Sequence, residues 1–321
     1  MPAIITHYLM SKASADSLGN NNVLQCVKQY SEVFFLGAQC PDILFFALGN
    51  KELNQLGERM HREGINSFFA ECINRIRMIA IHEGRDEITA FIAGVLCHYA
   101  MDTCAHPYIY YKTGFFNDDG EQSGESVIRH RFLETTIDVM LARNLEDSSP
   151  YSLNFIEKFT VRSKTRLLIG QFLSNAVTSS YGVFLYPEDY AKAMKDMAFV
   201  YRILRDKSGK KRVTAGILGK LFRNIAAVEA LMHYEPVKQL DYLNEKRSIW
   251  HYPWDDSIDI NLSFMDLFNR AIDDSRIYIT AFSKAVNKQI DDKIALSIIG
   301  NKNFSTGLES PAKFLYYNIE F

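Results

Sequence analysis

Apolar residues recur with a helical period along most of the chain. Over Leu56–Ile81 they return every three or four residues, and this stretch is predicted to be one helix. The segment Arg85–Glu87 begins the next helix with two acidic residues, which suit the positive end of a helix dipole. This second helix is predicted to end near Pro107 or soon after, because proline interrupts helical hydrogen bonding.

Other helical segments follow, and no alternating strand pattern or internal repeat accompanies them. Further helices are predicted from Ser126 toward Ala142 and, in the second half, over Asn154–Val177, Pro187–Arg205, Thr214–His233 and Ser263–Asn287. The segment Trp250–Asp255 is aromatic and is predicted to be an irregular stretch lying over the helices. The pattern predicts an all-α, multi-helix fold in a single domain over residues 1–321, with a helical C-terminal half from 150 to 321.

Composition indicates a globular protein without a polyanion-binding surface. Hydrophobic residues make up 47% of the 321 residues and charged residues 23%, which is typical of a chain with a sizeable core. Lys and Arg number 36 against 38 Asp and Glu, for a net charge of −2. Bulk nucleic-acid binding is therefore not expected, because no excess of positive charge is present to neutralise phosphates.

Targeting and redox features predict a cytoplasmic protein. The chain starts without a basic segment followed by an apolar one, so no signal peptide is predicted. The most apolar stretch, Val33–Leu48, is interrupted by Gln39, Pro41 and Asp42, and no transmembrane segment is expected. The 5 cysteines follow no disulfide spacing, which favours a reducing compartment. Release from a longer secreted precursor is the alternative, and the sequence sets no oligomeric state.

Metal-binding side chains recur at one-turn spacing. His98, Asp102 and His106 are separated by four residues each, and His130 and Glu134 repeat the interval, so each set shares one helix face. Along a helix axis His98 and Asp102 are about 6 Å apart and the two outer histidines about 12 Å apart. The central carboxylate can therefore bridge two ions, whereas His106 is expected to join His130 and Glu134 on a separate ion.

Upstream residues extend this set to five imidazoles and three carboxylates. The candidate ligands are His7, Asp42, His61, His98, Asp102, His106, His130 and Glu134. Nitrogen and oxygen donors of this kind suit zinc and also accept manganese or iron. Since a catalytic zinc ion takes about three protein ligands and a water, eight donors predict two or three ions. His233 and His251 are predicted to lie outside the site.

The order of these residues resembles the zinc-dependent phospholipase C family, a relative of the fungal single-strand nucleases. The matching motifs are Thr6-His7, Gly37-Ala-Gln-Cys-Pro-Asp42, a lone His61, His98-x-x-x-Asp102, His106-Pro107 and His130-x-x-x-Glu134. They cover residues 6–134 and imply a fold of phospholipase C/nuclease type with the metal cluster held between helices. A weaker resemblance continues at Trp250–Pro253 and Ser263-Phe264.

The resemblance also implies ligand sets and an activity, phosphodiester hydrolysis. Residues Asp42, His61, His98 and Asp102 would hold one ion, the set His106, His130 and Glu134 a second, and His7 with Asp102 a third. Clustered cations would neutralise phosphate oxygens and deprotonate a water molecule near neutral pH. Asp42 would be catalytic as well as a ligand, by orienting that water or acting as general base.

Two departures from the family pattern affect these expectations. Secreted members use an N-terminal Trp as a chelating ligand beside the first His, and no Trp precedes His7 here. Two ions and three ions are therefore both compatible with the sequence. Those members also place an aromatic residue after the motif Asp to help hold a choline headgroup, where this chain has Ile43. A phosphatidylcholine pocket is not expected.

The sequence thus predicts a phospholipase C-like hydrolase of a small-molecule or lipid phosphate ester. One alternative is a nuclease or nucleotidase, which would need stacking aromatics around the ions. Another is a metal-binding protein without turnover, and a partner-binding scaffold is a further possibility for which the sequence offers no specific sign.

Overall fold

The protein is a bundle of helices in the part of the chain that is described. The computed structural model describes residues 4–19, 22–114, 124–147, 155–206, 210–211, 213–214, 229–234 and 240–314. Its α-helices are α1 (Ile4–Ser17), α2 (Asn22–Gln29), α3 (Ser31–Gly37), α4 (Lys51–Arg62), α5 (Ile65–Met78), α6 (Arg85–Thr113), α7 (Gly124–Glu146), α8 (Phe155–Lys158), α9 (Ser163–Tyr181), α10 (Pro187–Leu204), α11 (Phe264–Val286) and α12 (Asp292–Ile299). Short 3-10 helices occupy Asp42–Phe46 and Ile81–Glu83. The all-α prediction is confirmed.

The described residues also include a small β-hairpin. Strands β1 (Trp250–Tyr252) and β2 (Asp255–Ile260) pair antiparallel with an irregular register. The prediction of an irregular segment at Trp250–Asp255 is therefore wrong. A strand of three residues is too short for alternation of polar and apolar positions to be recognised in the sequence.

Several predicted helix boundaries were wrong for local reasons. Leu56–Ile81 is not one helix, because α4 and α5 meet at Gly64, whose φ of +69° lies in the left-handed region. Asn154–Val177 is likewise divided between α8 and α9. By contrast, helix α6 begins at Arg85 and ends at Thr113, soon after Pro107, as predicted.

Other helix predictions agree with the structure. The helices predicted over Pro187–Arg205 and Ser263–Asn287 are confirmed as α10 and α11, each within about a residue at either end. The helix predicted from Ser126 begins slightly earlier, at Gly124. Most of the helix predicted over Thr214–His233 lies outside the described residues.

Helix α6 is the central element of the fold. It packs against α1, α2, α3, α7 and α11, and nearly all of its residues from Ile88 to Tyr110 are buried. Among the described helices, α6 alone is long and apolar enough to cross a membrane. It is buried within the protein, and buried core helices of helical bundles have the same length and composition. Its burial forces every polar side chain it carries to find a partner inside the protein.

Helices α3 and α6 approach each other through two glycines. A Cβ atom at Gly37 would lie 2.0 Å from the carbonyl oxygen of Phe91, and one at Gly94 would lie 2.0 Å from the carbonyl oxygen of Phe34. Only residues without a Cβ fit where two backbones are this close. The contact brings Ala38, at the end of α3, against the middle of α6, where His98 lies.

We expect Gly94→Ala to lower the free energy of unfolding by about 3 kcal/mol, because a backbone carbonyl cannot move aside as a flexible side chain would. Alanine has the higher helix propensity by about 1 kcal/mol, so a clash-free site would give the opposite sign. Urea denaturation would measure the difference. Gly19→Ala is the control, because a Cβ there meets nothing within 4 Å. Equal stability of the two variants would contradict the close contact.

Candidate metal centre

Asp102 lies at the centre of a buried group of histidines. Helix α6 carries it, with His98 one turn before it and His106 one turn after it. Its Oδ2 lies 3.1 Å from His98 Nε2, 3.8 Å from His61 Nε2 and 3.7 Å from His106 Nδ1. Its Oδ1 lies 3.3 Å from His7 Nε2. One carboxylate therefore faces imidazoles from three different helices.

The first half of the centre also contains three residues from outside α6, namely His7, Asp42 and His61. His7 comes from α1 and stacks on His98 with ring centroids 4.0 Å apart. Asp42 begins the first 3-10 helix, and its Oδ1 lies 3.1 Å from His61 Nε2 at the end of α4. Candidate ligand atoms of His61, His98 and Asp102 lie within 4.8 Å of one another, and so do those of His7, Asp42 and His98.

The second half of the centre joins α6 to α7. Glu134 Oε1 lies 3.0 Å from His130 Nε2 and 3.5 Å from His106 Nε2. Candidate ligand atoms of these three residues fall within 4.8 Å of one another, and all three side chains are buried. The structure thus gathers all eight sequence-predicted residues into two adjoining groups, and their role as metal ligands stays a prediction.

Backbone carbonyls fix the orientation of three imidazoles. The Nδ1 atoms of His61, His98 and His106 lie 2.7, 3.0 and 3.0 Å from the carbonyl oxygens of Gly57, Ala38 and Phe304. A carbonyl only accepts hydrogen bonds, so each Nδ1 is the protonated nitrogen and each Nε2 of a neutral ring presents a lone pair to the cluster. Metal-binding histidines are oriented in this way by a carbonyl or carboxylate behind the ring.

Several buried polar atoms of the centre lack a hydrogen bond within the protein. Among the described residues these atoms include His7 Nδ1, Asp42 Oδ1, His98 Nε2 and His130 Nδ1. Asp42 Oδ1 lies 3.1 Å from His61 Nε2, and His98 Nε2 lies 3.1 Å from Asp102 Oδ2, but neither contact is a hydrogen bond. Buried polar atoms are normally satisfied, so four such atoms at one place fit a site that receives cations. The donor set suits zinc.

Electrostatics at the centre favour positive charge. Burial alone would raise the pKa of Asp102, but the neighbouring His106 and His98 outweigh it and hold that pKa well below the usual carboxyl range. Burial opposes the charging of His98 as well, and the charge of Asp102 reverses this and raises the pKa to about 9. For His7, burial and the neighbouring His98 lower the pKa despite Asp102. A proton on His98 would compete with a metal ion for the same ring nitrogen.

A cleft gives access to the centre. Its volume is about 280 Å³, and it is lined by Phe45, Glu58, His61, Arg62, His106, Tyr110, Val127, His130, Arg131 and Ser305. Three candidate ligands from both halves of the centre therefore form part of its wall. Phe45 stacks on His61 at 5.4 Å between ring centroids, and Tyr110 lies 4.9 Å from the His130 ring.

Phe304 was missed in the sequence and holds both halves of the centre. Its N–H donates to the carbonyl oxygen of His61 at 2.8 Å, while its own carbonyl accepts from His106. Its ring lies 5.0 Å from His61 and 5.9 Å from His98. The contribution comes mainly from the main chain, which carries no sequence signal, and from a segment almost 200 residues beyond α6.

Asp138 was also missed, although its spacing could have revealed it. It follows His130 and Glu134 at the same four-residue interval on α7. Its fully buried carboxylate accepts from the N–H groups of Ile5 and Thr6 at 3.1 and 2.7 Å and from the Thr6 hydroxyl at 2.6 Å. Asp138 therefore caps the start of α1 and fixes the helix that presents His7.

His233 is the remaining partner of Asp138. Its Nε2 lies 2.8 Å from Asp138 Oδ2, and it belongs to neither group of candidate ligands among the described residues. His251 lies on β1, where its Nδ1 is 3.2 Å from the carbonyl oxygen of Ile258. Asp42 lies among the candidate ligands, and its role as general base stays a prediction.

The fold and the buried donor set define the class, a helical protein with buried groups of His, Asp and Glu that could hold metal ions beside a cleft. The family profile for zinc-dependent phospholipase C matches residues 6–181, which include all eight candidate ligands. The chain belongs to the zinc-dependent phospholipase C family, and the resemblance seen in the motifs is confirmed. No curated protein and no solved structure matches the chain.

We expect Asp138→Ala to lower the free energy of unfolding by about 3–5 kcal/mol, because it removes a buried charge from the donors of α1 and His233. Asp138→Asn should lower it less, since the amide retains one acceptor. Urea denaturation of the zinc-loaded protein would measure both. Asp16→Ala is the control, an exposed carboxylate on α1 whose loss should cost less than about 0.5 kcal/mol. A similar value for Asp138→Ala would contradict its anchoring role.

Proposed function

We propose that the protein is a phospholipase C-like hydrolase of phosphate esters that uses two or three zinc ions. The observation that carries the proposal is the meeting of two adjoining ligand groups at the wall of one cleft. Three imidazole Nε2 atoms are already oriented toward the centre by carbonyls behind them. Histidines that bind metal ions are usually oriented by a partner of this kind behind the ring.

Ligand roles follow the two groups. Asp42, His61, His98 and Asp102 are proposed to hold one ion and His106, His130 and Glu134 a second. His7 faces both Asp102 and the pair of Asp42 and His98, so it serves either a third ion or the first. Bound zinc would neutralise phosphate oxygens and lower the pKa of water toward neutrality. Manganese and iron are alternative occupants.

Asp42 is the proposed catalytic residue as well as a ligand. Its Oδ1 lies 3.1 Å from Nε2 of His61, and His61 forms part of the cleft wall. There it would orient the attacking water and accept its proton. A cytoplasmic location is proposed with a small-molecule or lipid phosphate ester as substrate. The five free cysteines support a reducing compartment.

A nuclease or nucleotidase is the second candidate. The cleft wall includes Phe45 and Tyr110, aromatic rings beside the candidate ligands. Bases stack on such rings in single-strand binding sites. Release of nucleotides from single-stranded DNA, at a rate above that for a simple diester, would favour this candidate.

Metal analysis is the first test. Protein purified without chelator or histidine tag is expected to contain two to three equivalents of zinc, manganese or iron per chain, by plasma mass spectrometry, because about three donors serve each ion. Less than about half an equivalent, not restored by added metal, would overturn the assignment.

We expect Asp102→Asn to lose at least one metal equivalent and all hydrolysis of bis(4-nitrophenyl) phosphate, because the amide cannot bridge two ions. His251→Gln is the control and should keep both, since His251 lies on β1 and belongs to none of the groups of candidate ligands. Full metal content and activity in Asp102→Asn would contradict the assignment.

Chelation separates a hydrolase from a metal-binding protein without turnover. We expect a chelator to stop hydrolysis of bis(4-nitrophenyl) phosphate and added zinc to restore it, because water activation needs the ions. A fully metal-loaded protein that leaves this diester intact would favour the non-catalytic alternative.

A further inference from the structure

Two arginines stand in the cleft wall beside the candidate ligands. Arg62 directly follows His61 at the end of α4, and Arg131 directly follows His130 on α7. Each half of the metal centre therefore carries a guanidinium group next to one of its imidazoles. Neither arginine is a candidate metal ligand, so both are available to contact a substrate.

Neither guanidinium is used in holding the fold together. Over the described ranges, Arg62 and Arg131 make no hydrogen bond or ion pair through their side chains, whereas Arg129 on the same helix donates to the carbonyl oxygen of Thr113. Arg131 is only partly exposed, and burial lowers its pKa against the opposing influence of Glu134 and Tyr201. A guanidinium remains charged in proteins, so a cation is held in the wall with its donors available.

Two acidic groups lie near these arginines, and they affect Arg62 and Arg131 differently. Glu58 is the one carboxylate of the cleft wall outside the candidate ligands, and it is exposed one helical turn before Arg62 on α4. Glu58 offsets Arg62, while Glu134 faces Arg131 but also faces two histidines. Cations held by His106, His130 and Glu134 would offset the charge of Glu134, and Arg131 would then present its positive charge to the cleft.

Resting on the proposed function, we infer that Arg131, assisted by Arg62, binds a second anionic group of the substrate while the metal centre binds the phosphate. Guanidinium groups match carboxylate and phosphate oxygens with paired hydrogen bonds. The substrate class is therefore a phosphate ester that carries another negative group. A quaternary ammonium headgroup would meet like charge at the same place.

Calorimetric titration of the zinc-loaded protein tests this with three small phosphates. Ethyl phosphate has an uncharged tail, phosphoglycolate a carboxylate and phosphocholine a quaternary ammonium. We expect phosphoglycolate to bind about 10- to 100-fold more tightly than ethyl phosphate, as for a charged hydrogen-bonded contact, and phosphocholine to bind more weakly. Zinc content is measured after each titration, so that chelation by the carboxylate is recognised.

Substitutions connect the preference to the arginine. In Arg131→Gln the preference for phosphoglycolate should fall below about threefold, with ethyl phosphate affinity and zinc content retained. Arg131→Lys should keep part of the preference, because it keeps the charge without the paired donors. Arg143→Gln is the matched control, an exposed arginine on the same helix, and should behave as wild type.

The outcomes separate this inference from the proposed function. Equal affinity for phosphoglycolate and ethyl phosphate, or a preference that persists in Arg131→Gln, would overturn the inference and leave the hydrolase intact. An arginine-dependent preference in a protein that never hydrolyses bis(4-nitrophenyl) phosphate would support the anion site and overturn the hydrolase. No binding of any of the three phosphates would overturn both.

Discussion

A carboxylate held ionised in the interior is the constraint on which the rest of this protein depends. Asp102 is buried on the central helix, where an unpaired charge would cost several kcal/mol in lost hydration. The surrounding histidines hold the pKa of Asp102 far below the usual range. The buried carboxylate is therefore stable only when these histidines are in place. The helices that deliver those histidines must arrive together, so the fold around α6 is organised by charge as well as by apolar packing.

Main-chain atoms supply the accuracy of this arrangement. Ala38 and Phe304 each turn one imidazole by accepting from its Nδ1, and the close contact of Gly37 with α6 brings Ala38 into range. Each of these contacts ties a candidate ligand to a distant part of the chain. Metal affinity and folding stability are therefore expected to be linked, since ions that bind only this geometry stabilise the folded state.

Residue spacing and motif order made the eight candidate ligands predictable, whereas the main-chain contacts that orient them were not. Four-residue intervals in the sequence were enough to assign five candidate ligands to the faces of two helices, because helical periodicity is regular. The carbonyls of Ala38 and Phe304 left no trace, since any residue type supplies a carbonyl. Asp138 did leave one, as the third member of an evenly spaced series on α7. It was missed because the sequence does not distinguish an aspartate that caps a helix from one that is exposed to solvent. The helix boundary at Gly64 was missed for a similar reason. The helical spacing of apolar residues continues across it, although the left-handed backbone of Gly64 ends one helix before the next begins.

The main chain of Phe304 also links the two halves of the centre. Its N–H bonds to the main chain of His61 and its carbonyl to the ring of His106, so one residue is in contact with both ligand groups. A shift of His61 would be transmitted through this residue to His106 of the second group. If both groups hold ions, the affinity of each group for its ion would then depend on whether the other is filled.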